Sequence, residues 1–204
     1  MLFRSGSGVV NVGGVFTLAG GDWRQVGAAL PSFQAKDFRI GSGASFLRVN
    51  GGDGSLASPY QISDVYGLQG MGSSSQYLAS AWTLMNDIDA STTANWNLNG
   101  GVAEGFKPIG NSGVNFTGAL DGRGFAIKDL KVNTVSQDAG LFGRVSGATI
   151  SNVALSNASV ASQHDQGYVG ALAGQAQGST ISGVSSSGSV TSYNLAGGLL
   201  GFMS

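Results

Sequence analysis

The sequence predicts an all-β fold wound as a parallel β-solenoid, with one short helix and an irregular aromatic segment at the N-terminal end. Three observations carry that expectation. Glycine-bracketed apolar clusters recur as Gly140-Leu141-Phe142-Gly143, Gly170-Ala171-Leu172-Ala173-Gly174 and Gly197-Gly198-Leu199-Leu200-Gly201. The residues that follow keep a fixed offset: Leu141 to Leu172, Ile150 to Ile181 and Val153 to Val184 are each 31 positions apart, and Leu172 to Leu199 is 27. A period of that size, built from short apolar runs between glycines, is what stacked repeats produce. Finally, 35 glycines, one glutamate and four lysines leave few good helix formers among 204 residues. An antiparallel sandwich also has short strands and frequent turns, but its spacing would not hold one motif in register at 31 residues. In a solenoid each strand pairs with its equivalent one coil on, about 4.8 Å away, so like residues stack in columns: Ile150 on Ile181, Val153 on Val184, and Leu141 on Leu172 and Leu199. Glycine at the corners would supply conformations with φ > 0.

Along the chain, residues 1–59 read as an aromatic β segment continuous with residues 60–204, the repeat region. Val9 to Leu18 reads as one or two short strands around Gly13-Gly14. Trp23, Phe33, Phe38 and Phe46 follow, with strands expected at Phe38–Ile40 and Ser45–Val49 and a turn at Asn50 to Gly54. The best helix candidate runs from Ser63, a cap, to Met71, with Val65, Leu68 and Met71 on one face and Gly67 and Gly70 weakening it. Trp82 to Met85 reads as a strand, and Phe106 to Gly110 as an apolar knot. Alternation is clear from Phe116 to Leu120 and from Phe125 to Val132, on either side of Asp121-Gly122-Arg123-Gly124, which serves as a hairpin turn or as a corner between faces of a coil.

A formal charge of −1 on so few ionised groups excludes the dense basic patch of a nucleic-acid binder and a polybasic membrane anchor. No run of about 18 apolar residues is present to insert in a bilayer. The opening Met1 to Gly6 lacks the apolar core of a secretory leader, and Ser204 follows the third cluster without a polar cap, so the expectation is a piece of a longer exported chain. The absence of cysteine fits either compartment.

Candidate chemistry is sparse, and no catalytic, cofactor-binding or metal-ligating residue is assigned. His164, the single histidine, lies in Ser162-Gln163-His164-Asp165, without the Gly-x-Ser-x-Gly elbow of a hydrolase, and reads as a loop residue. Asp87 with Asp89, or Asp53, would offer calcium too few oxygens and read as backbone caps. Gly6-Ser7-Gly8 is not a phosphate loop. Trp23, Trp82 and Trp96 could stack on sugars, with core packing the default. Asp121 with Asp87 or Asp89 is the pair that a glycan-cleaving solenoid would need across its coils.

Several motifs bear a family resemblance. Gly140-Leu141-Phe142-Gly143, Ile150-Ser151-Asn152-Val153 and the later Gly-Leu clusters resemble the glycine-leucine-glycine (GLUG) repeats of large bacterial surface proteins. Asn86 to Ala90, Pro108 to Gly110, Phe116 to Gly118 and Leu120 to Gly124 are similar to the segment that introduces them. Trp23 to Gln25, Leu30-Pro31, Asp37-Phe38, Phe46 to Arg48, Gly51 to Gly54, Pro59-Tyr60 and Asp64 to Gly70 look like the corresponding stretch of filamentous haemagglutinin-type exoproteins. The resemblance implies a right-handed parallel β-helix serving as the shaft or binding segment of a secreted adhesin. It further implies two-partner secretion through an outer-membrane transporter, a host glycan or surface protein as partner, and no enzyme or cofactor. The alternatives are a carbohydrate-active β-helix enzyme and the passive stalk of a toxin or nutrient-acquisition exoprotein.

Overall fold

The computed structural model describes residues 2–4 and 8–204; Met1 and residues 5–7, which carry most of the leader reading and of Gly6-Ser7-Gly8, lie outside the described residues. The chain is nearly all β, with parallel-strand sheets and two short helices. Four ladders run through residues 60–204. In the first, Tyr60–Ile62, Ala81–Leu84, Ala119–Asp121, Thr149–Ser151 and Thr180–Ser182 pair in parallel and align Tyr60, Trp82, Leu120, Ile150 and Ile181. In the second, Ile88, Ile127 and Leu155 align, and Val132, Val160 and Val190 form a neighbouring column. The third aligns Ala139, Val169 and Ala196, and the fourth Phe142, Ala173 and Leu200. The offsets read from the sequence are the registers of the last rungs, where Ile150 faces Ile181 and Phe142 faces Ala173 at 31 and Ala173 faces Leu200 at 27; earlier rungs are spaced differently, with Trp82 to Leu120 at 38 and Leu120 to Ile150 at 30.

Columns of this kind explain the stability of so glycine-rich a chain. Leu120, Ile127, Ile150, Leu155 and Val160 are all essentially buried, and each buried aliphatic contributes about 1.5–3 kcal/mol. Ile181 and Val190, the counterparts of Ile150 and Val160, are partly exposed and pack against the same core. Between strands the backbone turns at left-handed residues: Arg123 and Gly124 in the Asp-Gly-Arg-Gly corner, Asp129 and Asn152; Asn157 takes the same conformation at the register irregularity inside Ala154–Ser162. Short polar Asn and Asp tolerate that conformation best among residues with a Cβ. The Asp121 motif is thus a corner between consecutive strands, Ala119–Asp121 and Ala126–Lys128, which lie in different sheets.

The bracketing glycines have a different cause from the one expected. Gly140, Gly143, Gly170, Gly174, Gly197 and Gly201 are not among the positive-φ residues. They are glycine because neighbouring rungs come too close for a side chain: a Cβ on Gly143 would lie 2.4 Å from the Gly110 carbonyl oxygen, and one on Gly201 2.5 Å from the Val169 nitrogen. The motif that repeats is a column of close approach.

The N-terminal segment is also regular, against expectation. Gly21–Val26 pairs in parallel with Leu2–Arg4 and Ala44–Val49, placing Trp23 opposite Phe46 at an offset of 23. Val10–Leu18 pairs in parallel with Phe33–Ile40, placing Phe16 opposite Phe38 at 22. Val10–Leu18 is a single strand, and its Gly13-Gly14 pair is a register irregularity between Val12 and Val15 rather than a turn. The spacing is shorter here than in the C-terminal rungs, and no glycine-bracketed cluster marks it, which hid the repeat. Rings of Phe16, Trp23, Phe33, Phe38, Phe46, Tyr66 and Trp96 fill the interior, with neighbouring centroids from 4.7 Å (Phe33 to Tyr66) to 6.1 Å (Trp23 to Phe46). Trp82 and Trp96 are core residues, 1% and 0% exposed, and Trp23 packs at the edge of this cluster.

Two helices replace the one expected. The first, α1, spans Val65–Gly70 and is capped by Asp64, whose Oδ1 accepts from the Gly67 N–H at 2.9 Å; Ser63 is not the cap. The second, α2, spans Ser75–Leu78 with Ser74 as its cap. All six residues of α1 are buried; it lies between the strand Ala44–Val49 and the irregular segment at Lys107. Toward Ala44–Val49, Gly67 and Gly70 bring it so close that Cβ atoms would fall 2.5 Å from the Arg48 oxygen and 2.4 Å from the Phe46 oxygen. The Ser73 hydroxyl accepts from the Phe46 N–H at 2.9 Å. On the other side, the Gln69 amide donates to the Lys107 carbonyl at 2.9 Å and accepts from the Lys107 N–H at 2.8 Å. One side chain thereby makes the pair of bonds a neighbouring strand would make, so α1 stands in for a rung.

A hairpin that the sequence pattern did not resolve, Leu98–Asn99 with Val102–Ala103, is the antiparallel pair among the named strands. Asp37, 5% exposed, anchors it: its carboxylate accepts from the Asn97 N–H at 2.7 Å, the Leu98 N–H at 3.3 Å and the Arg39 guanidinium at 2.5 and 2.9 Å.

Candidate functional site

The acidic residues singled out from the sequence are already engaged where the fold places them. Asp121 sits on the first ladder, where its Oδ1 accepts from the Arg123 N–H at 2.9 Å and from Asn152 one rung on at 3.1 Å. Asp87 pairs with Lys128 at 2.7 Å and accepts from the Ala126 N–H; Lys128, then that N–H, hold its carboxyl below the usual range. Asp89 caps Ser91 and Asp53 caps Ser55, and each is held low by that serine. A glycosidase acid must keep its proton near neutral pH, which the surroundings of Asp87 and Asp89 oppose. Among the described residues no three His, Cys, Asp or Glu side chains gather as a metal site.

His164 is exposed, with Nδ1 accepting from the Gln166 N–H at 3.1 Å. The Ser162 hydroxyl beside it donates to the Ser136 carbonyl at 2.6 Å and meets His164 through the backbone N–H. Serine and imidazole therefore do not form the nucleophile-base bond that hydrolysis requires.

A carboxyl that the sequence pattern passes over has the opposite character. Asp138, 5% exposed, lies on the strand Asp138–Ala139 where the chain turns into Phe142–Ser146. Its Oδ2 accepts from Arg144 Nη2 at 2.8 Å and Nε at 3.1 Å, while Oδ1 is buried with no hydrogen-bond partner. Burial pushes this carboxyl up, and the weaker pulls of Arg144, Gln175 and His164 do not cancel it. Burial thus shifts Asp138 in the opposite direction to Asp37, Asp53, Asp87 and Asp89, which are all held low. Nothing in the sequence marked it, since Ser136-Gln137-Asp138-Ala139 matches no motif; its lead into a glycine cluster was the available signal.

Together the ladders and the engaged carboxylates define a class of protein, a nearly all-β chain whose successive strands pair in parallel sheets. No family model matches the chain. Within that class, the chain is similar to halomucin of Haloquadratum walsbyi, at 39% identity over 164 residues that take in 78% of this chain. The chain spans about 2% of the length of that relative. Among solved structures it is similar to a Bacteroides ovatus protein assigned as an immunoglobulin A1 protease, with 18% identity, 76% of this chain and 65% of the other covered, and a TM-score of 0.39. That likeness is too slight to carry an argument about activity.

Proposed function

We propose that the chain is a segment of the shaft of a large surface or secreted protein, folded as a right-handed parallel β-helix and serving adhesion without catalysis. The observation that carries this reading is the continuous alignment of Tyr60, Trp82, Leu120, Ile150 and Ile181 on one ladder, which makes each rung a template for the next. Kinship supports it: halomucin is by its name a mucin, and this chain answers to about 2% of it, as one segment of a very long molecule would. No described helix is long and apolar enough to cross a membrane. The filamentous haemagglutinin-type resemblance adds export through an outer-membrane transporter and a host glycan or surface protein as partner, with neither nucleic acid nor membrane insertion involved.

The reading is tested by duplicating residues 148–178, one 31-residue unit, in place. A shaft lengthens by about 4.8 Å per added rung at constant cross-section in small-angle scattering. A chain that unfolds, or that grows in cross-section instead, defeats the reading.

Asp138 favours one second reading, a carbohydrate-active enzyme with that carboxyl as its acid. Release of reducing ends from polysaccharide that vanishes in Asp138→Asn, with the fold intact by circular dichroism, would establish it against the shaft.

A further inference from the structure

The replacement of a strand by α1 leaves a notch in the stack. A cleft of about 170 Å³ opens between the turn at residues 41–43, the end of α1 and the segment from Lys107 to Asn111. Beyond Lys107 a second cleft, of about 130 Å³, is lined by Glu104, Thr134 and Ser136. The two share Asn97, Lys107 and Pro108, so Lys107 stands at the boundary between them.

The boundary is held firmly while its side chain stays free. Both backbone polar groups of Lys107 are bound by Gln69, which is 6% exposed. Its ammonium is exposed and takes part in none of the ion pairs of the described residues. Around it lie groups with unused hydrogen-bonding capacity. Asn97 commits its amide nitrogen to the Gly105 carbonyl and keeps its oxygen. Asn111 commits its oxygen to the N–H groups of Gly113 and Val114 and keeps its amide hydrogens. Glu104, which lines the second cleft, accepts from Asn99 through one of its two carboxylate oxygens.

We propose that this double cleft binds an acidic polysaccharide in which a carboxylated sugar alternates with a neutral one. The sugar carboxylate sits in the larger cleft against Lys107, with its hydroxyls on Asn97 and Asn111. The neutral sugar lies beside Glu104, Thr134 and Ser136, where a second acid would be repelled. Phe38 and Phe106 line the clefts but are 1% exposed, so no aromatic face is offered for stacking. Recognition by charge and hydrogen bonds alone gives weak binding, about 0.1–1 mM, which repeated segments of a long protein raise through avidity. The inference deepens the adhesive reading and rests on it.

The test is titration of the whole chain by NMR with three oligosaccharides: an alternating uronate–N-acetylhexosamine tetrasaccharide, an oligogalacturonate and a cello-oligosaccharide. The alternating sugar is expected to bind tightest, more weakly as salt rises. Lys107→Ala should weaken it roughly threefold to tenfold. Glu104→Gln should raise affinity for the oligogalacturonate. Both side chains are on the surface, and circular dichroism checks that the variants fold. Equal affinity for the neutral sugar, no binding of any, or indifference to Lys107→Ala overturns the proposal. A chain that lengthens on unit duplication yet fails these titrations loses the cleft and keeps the shaft; one that passes them without lengthening does the reverse.

Discussion

Two buried aspartates, each beside an arginine, show how local geometry sets the sign of an electrostatic contribution. Burial pushes both carboxyls up, but at Asp37 the Arg39 guanidinium and the N–H groups of Asn97 and Leu98 prevail and hold it below its ordinary value. At Asp138 one oxygen is left without a partner and burial prevails. The linkage runs in opposite directions. Asp37 stabilises the fold above its unfolded value near 3.9, and that contribution is lost as pH falls through its lower folded value. Asp138 stabilises when protonated; its contribution is complete below about 3.9 and is lost as pH rises through its raised folded value. Asp37→Asn should therefore cost about 2–3 kcal/mol at pH 7 and flatten the acid limb of the stability curve. Asp138→Asn should be neutral or stabilising at pH 7, because Arg144 is partly exposed and can be solvated. Urea unfolding from pH 3 to 8 measures both, and equal losses in the two variants would contradict this account. Neither behaviour is legible in the sequence, where Asp37-Phe38-Arg39 and Asp138 six residues before Arg144 are ordinary surface patterns; partners 60 positions away, such as Asn97, decide it.

At the scale of elements, the glycines of α1 put helix propensity and packing in direct conflict. In an isolated helix Gly67→Ala would stabilise by about 1 kcal/mol. Here the new methyl would sit 2.5 Å from the Arg48 carbonyl oxygen, so a loss of about 1–3 kcal/mol is expected instead. The glycine clusters allow a matched comparison. Gly201→Ala would press on the Val169 nitrogen at 2.5 Å, whereas Gly198, three residues earlier in the same cluster, has nothing within 4 Å. Thermal unfolding should show Gly201→Ala clearly destabilised and Gly198→Ala within about 0.5 kcal/mol of the parent. Two glycines that look alike in the string differ because one faces a neighbouring rung and the other does not. The position of α1 was visible in Asp64 and the Val65, Leu68, Met71 spacing. Its role as a stand-in rung depends on Gln69 meeting Lys107, 38 residues on.

Taken whole, the 204-residue chain is a stack whose central rungs pair on both sides and whose last rung pairs on one. Trp82, Leu120 and Ile150 are at most 1% exposed, while Ile181, Val190, Leu199 and Leu200 are partly exposed. Stability in a repeat array is close to a sum of neighbouring interfaces, so local opening should be graded rather than uniform. Native-state hydrogen exchange is expected to show the slowest amides in Ala119–Asp121 and Thr149–Ser151 and faster exchange in Thr180–Ser182. Ile150→Ala should cost about 3 kcal/mol and Ile181→Ala distinctly less, since the transfer and cavity terms both scale with what is buried. Uniform protection and equal costs would mean that the rungs unfold as one body.

The sequence by itself determined the class of fold and, in its last rungs, the register that sets Ile150 on Ile181. An offset that carries Ile150 onto Ile181 is a local, periodic property, written wherever like residues recur at one spacing. Tertiary structure decided the rest: the parallel pairing of the N-terminal strands at spacings of 22 and 23, the helix that takes a rung's place, and a carboxyl at Asp138 that burial pushes up. No glycine-bracketed motif announces these contacts, and burial and close approach exist only once the rungs are stacked.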